Sequence, residues 1–418
     1  MTIEHANVPG AALLEGWSDE GTWRILLPWP EETRTLPWDR AAEWQSFLRD
    51  LTCEPATLDG PSPFLGGWVG FLSYEATAMN EAAQPRSDHP PEPAAYFARH
   101  RSGMVIDPHG NASFFGVRQP QLPLLDPEAK AAAAAAALQN SLTDGQYANA
   151  VDRIRQAIRD GEVYQVNLTR SFSLQHRVDP AALYRALTAP HPPRSSAFLR
   201  GDGWSIASAS PEVLLRFDRN TGIAESRPIK GTVRRGEGSA ETLLASEKDA
   251  SEHLMIVDVV RNDFGKIAPP GAVSVPSFRT IQTLEHVLHL ESTVRATGQH
   301  GFELAAVLAA LSPAASITGA PKRAAVRMIR DLEPVPRGVY CGSIGYIDAR
   351  GHAGHSVPIR TAVARDRERL AGDGARRCRT RGRPHRAKRG PCGPPSWSRS
   401  RSSRRSPFSP HRHRVSRP

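Results

Sequence analysis

Cysteine is scarce, with 4 in 418 residues (Cys53, Cys341, Cys378 and Cys392) and all far apart. That spacing excludes a disulfide-stapled scaffold, and the lack of any C-x-x-C pair removes a zinc ribbon. No run of about 20 apolar residues occurs, so no membrane-spanning helix is expected. The start of the chain lacks a basic stretch followed by an apolar one, so no secretory signal is expected. These absences together point to a reduced, cytoplasmic setting. Apolar residues reach only 39%, beside 36 Pro and 33 Gly. A chain of this length still has enough of them for a sizeable core, in one large domain or two ordinary ones.

Acidic residues are missing from one region. Residues 375–418 hold fifteen Lys and Arg and no Asp or Glu, while the rest of the chain holds 38 basic against 43 acidic residues. The formal charge of +10 therefore belongs to the tail, and the body is mildly acidic. The tail also has almost no aliphatic residues, so residues 366–418 are expected to be disordered. As a nucleic-acid arm it would bind phosphate without reading bases, since Trp397 and Phe408 are its sole stacking residues. No specific nucleic-acid partner is expected.

What is present reads as α+β. WRILLPW (23–29) and FLGGWVGFLSYEA (64–76) look like strands, and the Pro-rich stretch 85–95 like a loop. These fall in an expected N-terminal subdomain, 1–120. An alanine run within 121–143 reads as a helical connector. In 143–163, Tyr147, Val151, Ile154 and Ile158 recur at helical spacing, and 163–174 reads as a strand. Short strands are expected at 204–208, 213–218 and 286–294. Residues 246–265 read as a buried helix ended by Gly265, 301–311 as a helix, and the stretch from Pro321, at its first position, as a helix with Ala325, Met328, Ile329 and Leu332 at helical spacing. Residues 339–364 read as a hairpin across DARG (348–351). The expected catalytic core is 144–365.

Several residues could carry chemistry. Asp249 and Glu252 are three apart on the predicted helix and share a face, where two carboxylates repel unless a cation joins them, and Mg²⁺ suits such oxygen ligands. Carboxylates on a solvated helix edge are the plainer reading, because D-x-x-E is common. In SITGAPK (316–322), Gly319 and Lys322 at a helix start could form an anion site, although an ordinary entry turn has the same pattern. His289 in a strand is more often a structural hydrogen-bonder than a catalyst. Arg360 among apolar neighbours needs an anionic partner. Glu212 stands before an apolar strand, where it could sit at a strand mouth. Lys230, in SRPIKGTVRRG (226–236), is either a surface charge or a nucleophile.

Taken in order, GEVYQVNLTR, SASPEVLLRF, SRPIKGTVRRG, KDASEHLMIVDVVRNDFGK, VLHLEST, SITGAPKRAAVRMIRDLEP and RGVYCGSIGYID resemble the chorismate-utilising enzymes over about residues 12–365. The P-I-K-G-T around Lys230 resembles the branch that makes 4-amino-4-deoxychorismate for 4-aminobenzoate and folate. Anthranilate synthases usually carry alanine there, and that activity stays open as an alternative. The resemblance implies an amino-group transferase in which the Lys230 amine attacks C2 of chorismate and the C4 hydroxyl leaves. Ammonia then adds at C4 and displaces the lysine. It implies Glu212 as general acid and Glu252 as a direct Mg²⁺ ligand, with Asp249 on metal-bound water. His289, Thr318 and Gly319 fall at active-site positions, and Tyr340 and Arg360 at contacts to the enolpyruvyl carboxylate. The implied ammonia source is a separate glutamine amidotransferase subunit, since no G-x-C-x-G motif is present. ALLEGW (12–17) and LSYEA (72–76) resemble the family's tryptophan-pocket segments, which makes tryptophan a candidate ligand.

One departure stands out. The family continues past IRTA into a glycine-rich turn and a helix with E-x-x-E, which completes the Mg²⁺ site. Here RTAVARDRERLAG passes into GARRCRTRGRPHRAKRG and an Arg/Ser/Pro tail. A shift of reading frame in a GC-rich gene accounts for such a change, so an inactive homologue without the last metal ligands is a further alternative. Pro358, inside a predicted strand, removes one ladder donor.

Overall fold

A computed structural model describes residues 8–51, 60–81, 86, 88–116, 138–174, 178–284, 287–298, 301–365 and the backbone of 378–381. The expected Ala-rich connector over 121–137 lies outside this set, as does most of the expected tail. Two ten-stranded antiparallel sheets dominate, which makes the fold α+β as expected. The first runs in the order Ala112–Phe115, Gly103–Ile106, Trp23–Leu27, Ala12–Gly16, Ser195–Gly201, Trp204–Ser210, Thr361–Arg365, Cys378–Arg381, Ser171–Leu174, Leu138–Asn140. The second runs Ile229–Arg234, Val287–Thr297, Ile223–Arg227, Val213–Asp218, His352–Ser356, Ser343–Asp348, Gly67–Leu72, Ala95–His100, Glu32–Leu36, with Val273–Thr283 also paired to Val287–Thr297.

Successive side chains of the central strands point to opposite faces, and both faces are buried. Leu14, Ile25, Leu199 and Ile206 of the first sheet meet Val69, Phe71 and Ile344 of the second in one apolar cluster. The opposite face of the second sheet takes the helices. Ile154, Val257, Leu308 and Ile329, one from each of four helices, pack with Phe97, Leu215 and Val294. Those helices are Asp144–Arg159, Glu247–Gly265, Leu304–Leu311 and Lys322–Leu332. None of the described helices is long and apolar enough to cross a membrane.

Local chemistry sets the element ends. Thr143 caps the Asp144–Arg159 helix through the Gln146 N–H, and Gln146 returns the bond to the Thr143 N–H. Ser246 caps Glu247–Gly265, and that helix ends at Gly265 as the sequence indicated.

Several expectations need correction. Within 64–76 only Gly67–Leu72 is a strand, because Ser73 then caps a short helix, Tyr74–Ala78. The strand expected over 163–174 breaks into Gln165–Val166 and Ser171–Leu174, and the residues between are held sideways. The Asn167 amide donates to the Ile317 carbonyl at 3.1 Å and the Thr169 N–H to Glu333 at 2.8 Å. Leu138–Asn140, at the end of the expected helical connector, is a strand. Pro321 is the extended residue before the helix rather than its first helical residue. DARG does turn a hairpin, between Ser343–Asp348 and His352–Ser356. Thr361–Arg365, however, joins the other sheet, and Pro358 and Arg360 fall in the irregular link between the two. Strands of the N-terminal stretch enter both sheets: Ala12–Gly16 pairs with Ser195–Gly201, and Gly67–Leu72 with Ser343–Asp348. Within the tail expected to be disordered, Cys378–Arg381 forms a strand between Thr361–Arg365 and Ser171–Leu174. Those two strands leave a row of backbone groups for a partner, and ladder bonds ask no particular side chain of it.

Candidate active site

Lys230 lies in the edge strand Ile229–Arg234 and is half-buried. Its ammonium donates to the Ser316 carbonyl at 2.6 Å. Its own carbonyl accepts from His253 Nδ1 at 3.2 Å, and His253 Nε2 meets the Ser292 hydroxyl at 2.6 Å. The Ser292 oxygen also accepts the Arg279 N–H at 2.9 Å. Burial holds the His253 pKa down, so the ring is neutral and Nδ1 carries its proton. His253 thus ties the Glu247–Gly265 helix to the lysine's strand.

Glu212 is 5% exposed and stands at the entry to Val213–Asp218. Its N–H donates to Ser210 Oγ and its carbonyl accepts from the Val357 N–H at 3.1 Å. Its carboxyl faces the Lys230 ammonium, the Ser316 side chain and the Ile229 N–H. Burial pushes its pKa up, while Lys230 pulls the other way. The arrangement holds, beside an amine, a carboxyl that keeps its proton to higher pH than a free one.

The 314–319 turn closes the site from above Lys230. The Thr318 hydroxyl donates to the Ala314 carbonyl at 2.7 Å, and the Thr318 carbonyl accepts from the Asn167 N–H at 2.8 Å. Gly319 pairs with Val166, where an added Cβ would stand 2.0 Å from the Gln165 carbonyl oxygen. That close approach gives the glycine a packing reason. Arg337, 2% exposed, supports the turn through the Ile317 carbonyl at 2.9 Å and the Asn167 carbonyl at 2.7 Å. His289 is buried in Val287–Thr297 opposite Thr232, with its Nδ1 2.7 Å from the Thr232 hydroxyl.

Asp249 and Glu252 are half-buried in the first two turns of Glu247–Gly265. A Cβ added to Gly231 would lie 3.4 Å from Asp249 Cβ, so this end of the helix abuts the residue after Lys230. Asp249 Oδ2 also accepts the Ser246 hydroxyl at 2.8 Å. Among the described residues no group of three His, Cys, Asp or Glu side chains gathers to hold a metal. Two carboxylates on one face still suit Mg²⁺, which is often held by one or two carboxylates and otherwise by water and substrate oxygens.

Tyr340 is 1% exposed within the main core, and burial drives its phenol well above the ordinary value. The Cys341 N–H donates to the Pro358 carbonyl, linking Tyr340 to the segment of Arg360, which is half-buried with φ 53°. Lys322 is not open to an anion: its ammonium is buried on Asp263 Oδ2 at 2.6 Å. The two segments resembling a tryptophan pocket enter different clusters. Leu14 and Trp17 pack between the sheets, where the Trp17 N–H donates to the Ser196 carbonyl, while Leu72 and Tyr74 pack under the helices. Sequence reasoning missed His253, Arg337, Ser316 and Glu291. Glu291 was legible in principle, being two residues from His289 and so on the same face of an apolar strand.

Comparison with known proteins sets this geometry in context. The family described as chorismate binding enzyme matches residues 18–375. An aminodeoxychorismate synthase from Streptomyces pristinaespiralis is 36% identical over 75% of this chain and 48% of its own length. Aminodeoxychorismate synthase component 1 from Klebsiella aerogenes is 35% identical over 72% of this chain and 70% of its own. Anthranilate synthase component 1 from Aquifex aeolicus is 37% identical over 57% of this chain and 49% of its own. The chain thus spans about half the length of two of these relatives. Among solved structures, anthranilate synthase component I from Streptococcus pneumoniae superposes with a TM-score of 0.70 at 24% identity, covering 90% of this chain and 87% of that one, a likeness of fold.

Proposed function

This chain belongs to the chorismate-binding enzyme family, and we propose that within it the chain aminates chorismate to 4-amino-4-deoxychorismate. The observation that carries this reading is the juxtaposition of a half-buried Lys230 with a buried Glu212 that keeps its proton to higher pH than a free carboxyl. The Lys230 amine attacks C2 of the substrate as the ring double bonds shift, and the C4 hydroxyl leaves as water with a proton from Glu212. Ammonia adds at C4, the double bonds shift back, and the lysine leaves C2. An amine next to a carboxyl can pass on its proton and regain nucleophilicity. The Ser316 carbonyl orients Lys230, and His253 and Arg337 fix the two segments that meet there. Mg²⁺ held by Asp249 and Glu252 would neutralise a substrate carboxylate. Glutamine hydrolysed by an amidotransferase subunit would supply the ammonia, and the reaction would serve 4-aminobenzoate and folate synthesis in the cytoplasm.

Product analysis tests the reading. Purified protein with chorismate, Mg²⁺ and excess ammonium should form 4-amino-4-deoxychorismate, resolved by chromatography. Anthranilate as the product would sink the assignment of Lys230, and its relatives include anthranilate synthases. In ammonia-free buffer, intact mass should rise by chorismate less water, on Lys230, and Lys230→Ala should lose that adduct.

A further inference from the structure

Beside Lys230 and Glu212 stands a second buried carboxylate that the mechanism above does not use. Glu291 lies directly opposite Ile229 in the antiparallel ladder and is 4% exposed. Ile229 immediately precedes Lys230, and its N–H faces the Glu212 carboxyl. The two acids therefore flank one backbone unit, Glu212 from the entry of Val213–Asp218 and Glu291 from Val287–Thr297, with Ile223–Arg227 between those strands in the sheet. Arg194 grips Glu291, with Nη1 3.2 Å from both carboxylate oxygens, and its other nitrogen donates to Gln282 at 3.1 Å.

That grip is shared. Arg194 also stands 3.9 Å from Asp19, which takes Arg216 at 2.6 Å and Arg227 at 2.8 Å. Arg227 goes on to Glu225, which also holds Arg295. The groups facing Glu291 are thus Arg194, with Arg227 and Asp19 at longer range, and those facing Glu212 are Lys230, Ser316, Ile229 and Glu291. A buried carboxylate with part of one guanidinium retains negative character, and two such neighbours resist ionising together.

We propose that Glu291 is a positioning residue for the acid step: its carboxylate, anchored by Arg194, keeps the proton on Glu212. The inference rests on the assignment of Glu212 as general acid. Burial raises the pKa of both groups, Glu291 adds to the rise at Glu212, and Lys230 and Arg194 oppose it at Glu212 and Glu291 respectively.

The test uses the full chain and reads protonation directly. Infrared difference titration follows the Glu212 carboxyl, identified by its loss in Glu212→Gln. In Glu291→Gln the Glu212 midpoint should move to lower pH, because a negative neighbour is gone. In Glu291→Asp, which keeps the charge, it should stay near the wild-type value. An unmoved midpoint in Glu291→Gln overturns the proposal, as does an equal shift in both variants, since shape rather than charge would then be at work. Should Glu291→Gln fail to fold, Glu291→Ser removes the same charge with less bulk, and an unmoved Glu212 midpoint there is equally fatal. Turnover separates the two readings. The high-pH limb of kcat/KM should follow the Glu212 midpoint. A shifted midpoint with a fixed limb leaves this inference standing and removes Glu212 as the acid.

Discussion

At Glu212, burial raises the pKa above the ordinary carboxyl value of 4.5. As a general acid it acts while protonated, so the rate should fall as pH rises through the raised value. Glu212→Gln cannot give up a proton and should lower kcat by about 10²–10⁴-fold, read by steady-state assay. The same burial has a cost in stability with a definite sign. The folded state holds this proton more tightly than the unfolded state, so stability is lost as pH climbs from the unfolded to the folded pKa, and the cost is complete above both. Glu212→Gln should therefore raise Tm at pH 8, and the gain should shrink below the ordinary value of 4.5. A lower Tm at pH 8 would show that the carboxylate is well solvated, against the burial described. Its place at a strand mouth was legible because S-P-E sits before an apolar strand, whereas its role as an acid is what the family resemblance implies. The partners that set its protonation were not legible, because Ser316 and Glu291 reach it from strands and turns distant in sequence.

Helices were read most faithfully at the scale of elements, since a 3.6-residue period and a cap are local signals. Glu247–Gly265 falls within a residue of its expected limits, and Asp144–Arg159 starts within a residue of the expected 143–163 and stops at the Asp160-Gly161 pair inside it. Strand ends were not legible at 163–174 or 357–360, where side chains and turns far along the chain decide the pairing. The Lys322–Leu332 helix shows the same limit. Its first residue reads as an anion ligand in sequence, yet it folds onto Asp263, in the last turn of another helix. Both groups are almost fully buried, with side-chain exposures of 5% and 2%. Lys322→Met should then cost about 3–5 kcal/mol in urea unfolding, while adding Asp263→Leu should recover most of it. A small cost for the single change would mean that Lys266, 2.9 Å from Asp263, suffices as its counterion. Gly319→Ala probes the neighbouring turn. With φ 144° and no room beside the Gln165 carbonyl, it should lose roughly 1–3 kcal/mol and weaken the Lys230 mass adduct together. An alanine variant with full stability and adduct yield would separate this turn from the lysine.

For the whole molecule, the two sheets join distant parts of the chain, which no local pattern announces. Cys378–Arg381 joins the last two strands of the first sheet to the rest, after the run of body-like composition has ended. The family match stops at residue 375, where the basic run begins. The strand's partners are Ser171–Leu174 on one side and Ala362, Val363 and Ala364 on the other. Removing it would leave two rows of ladder groups facing each other across a vacant strand, and unpaired backbone groups cost stability when water cannot reach them. Two truncations isolate this contribution. A chain ending after Arg381 keeps the strand, and one ending after Arg365 loses it, while both lack the Arg/Ser/Pro run. The shorter chain should melt several degrees lower. Its amides in Ser171–Leu174 and Thr361–Arg365 should exchange with deuterium faster, while those of Gly67–Leu72 in the other sheet stay protected. Equal melting and equal exchange would show that the ladder bonds of 378–381 add nothing, and that the sheet is closed by its neighbours alone.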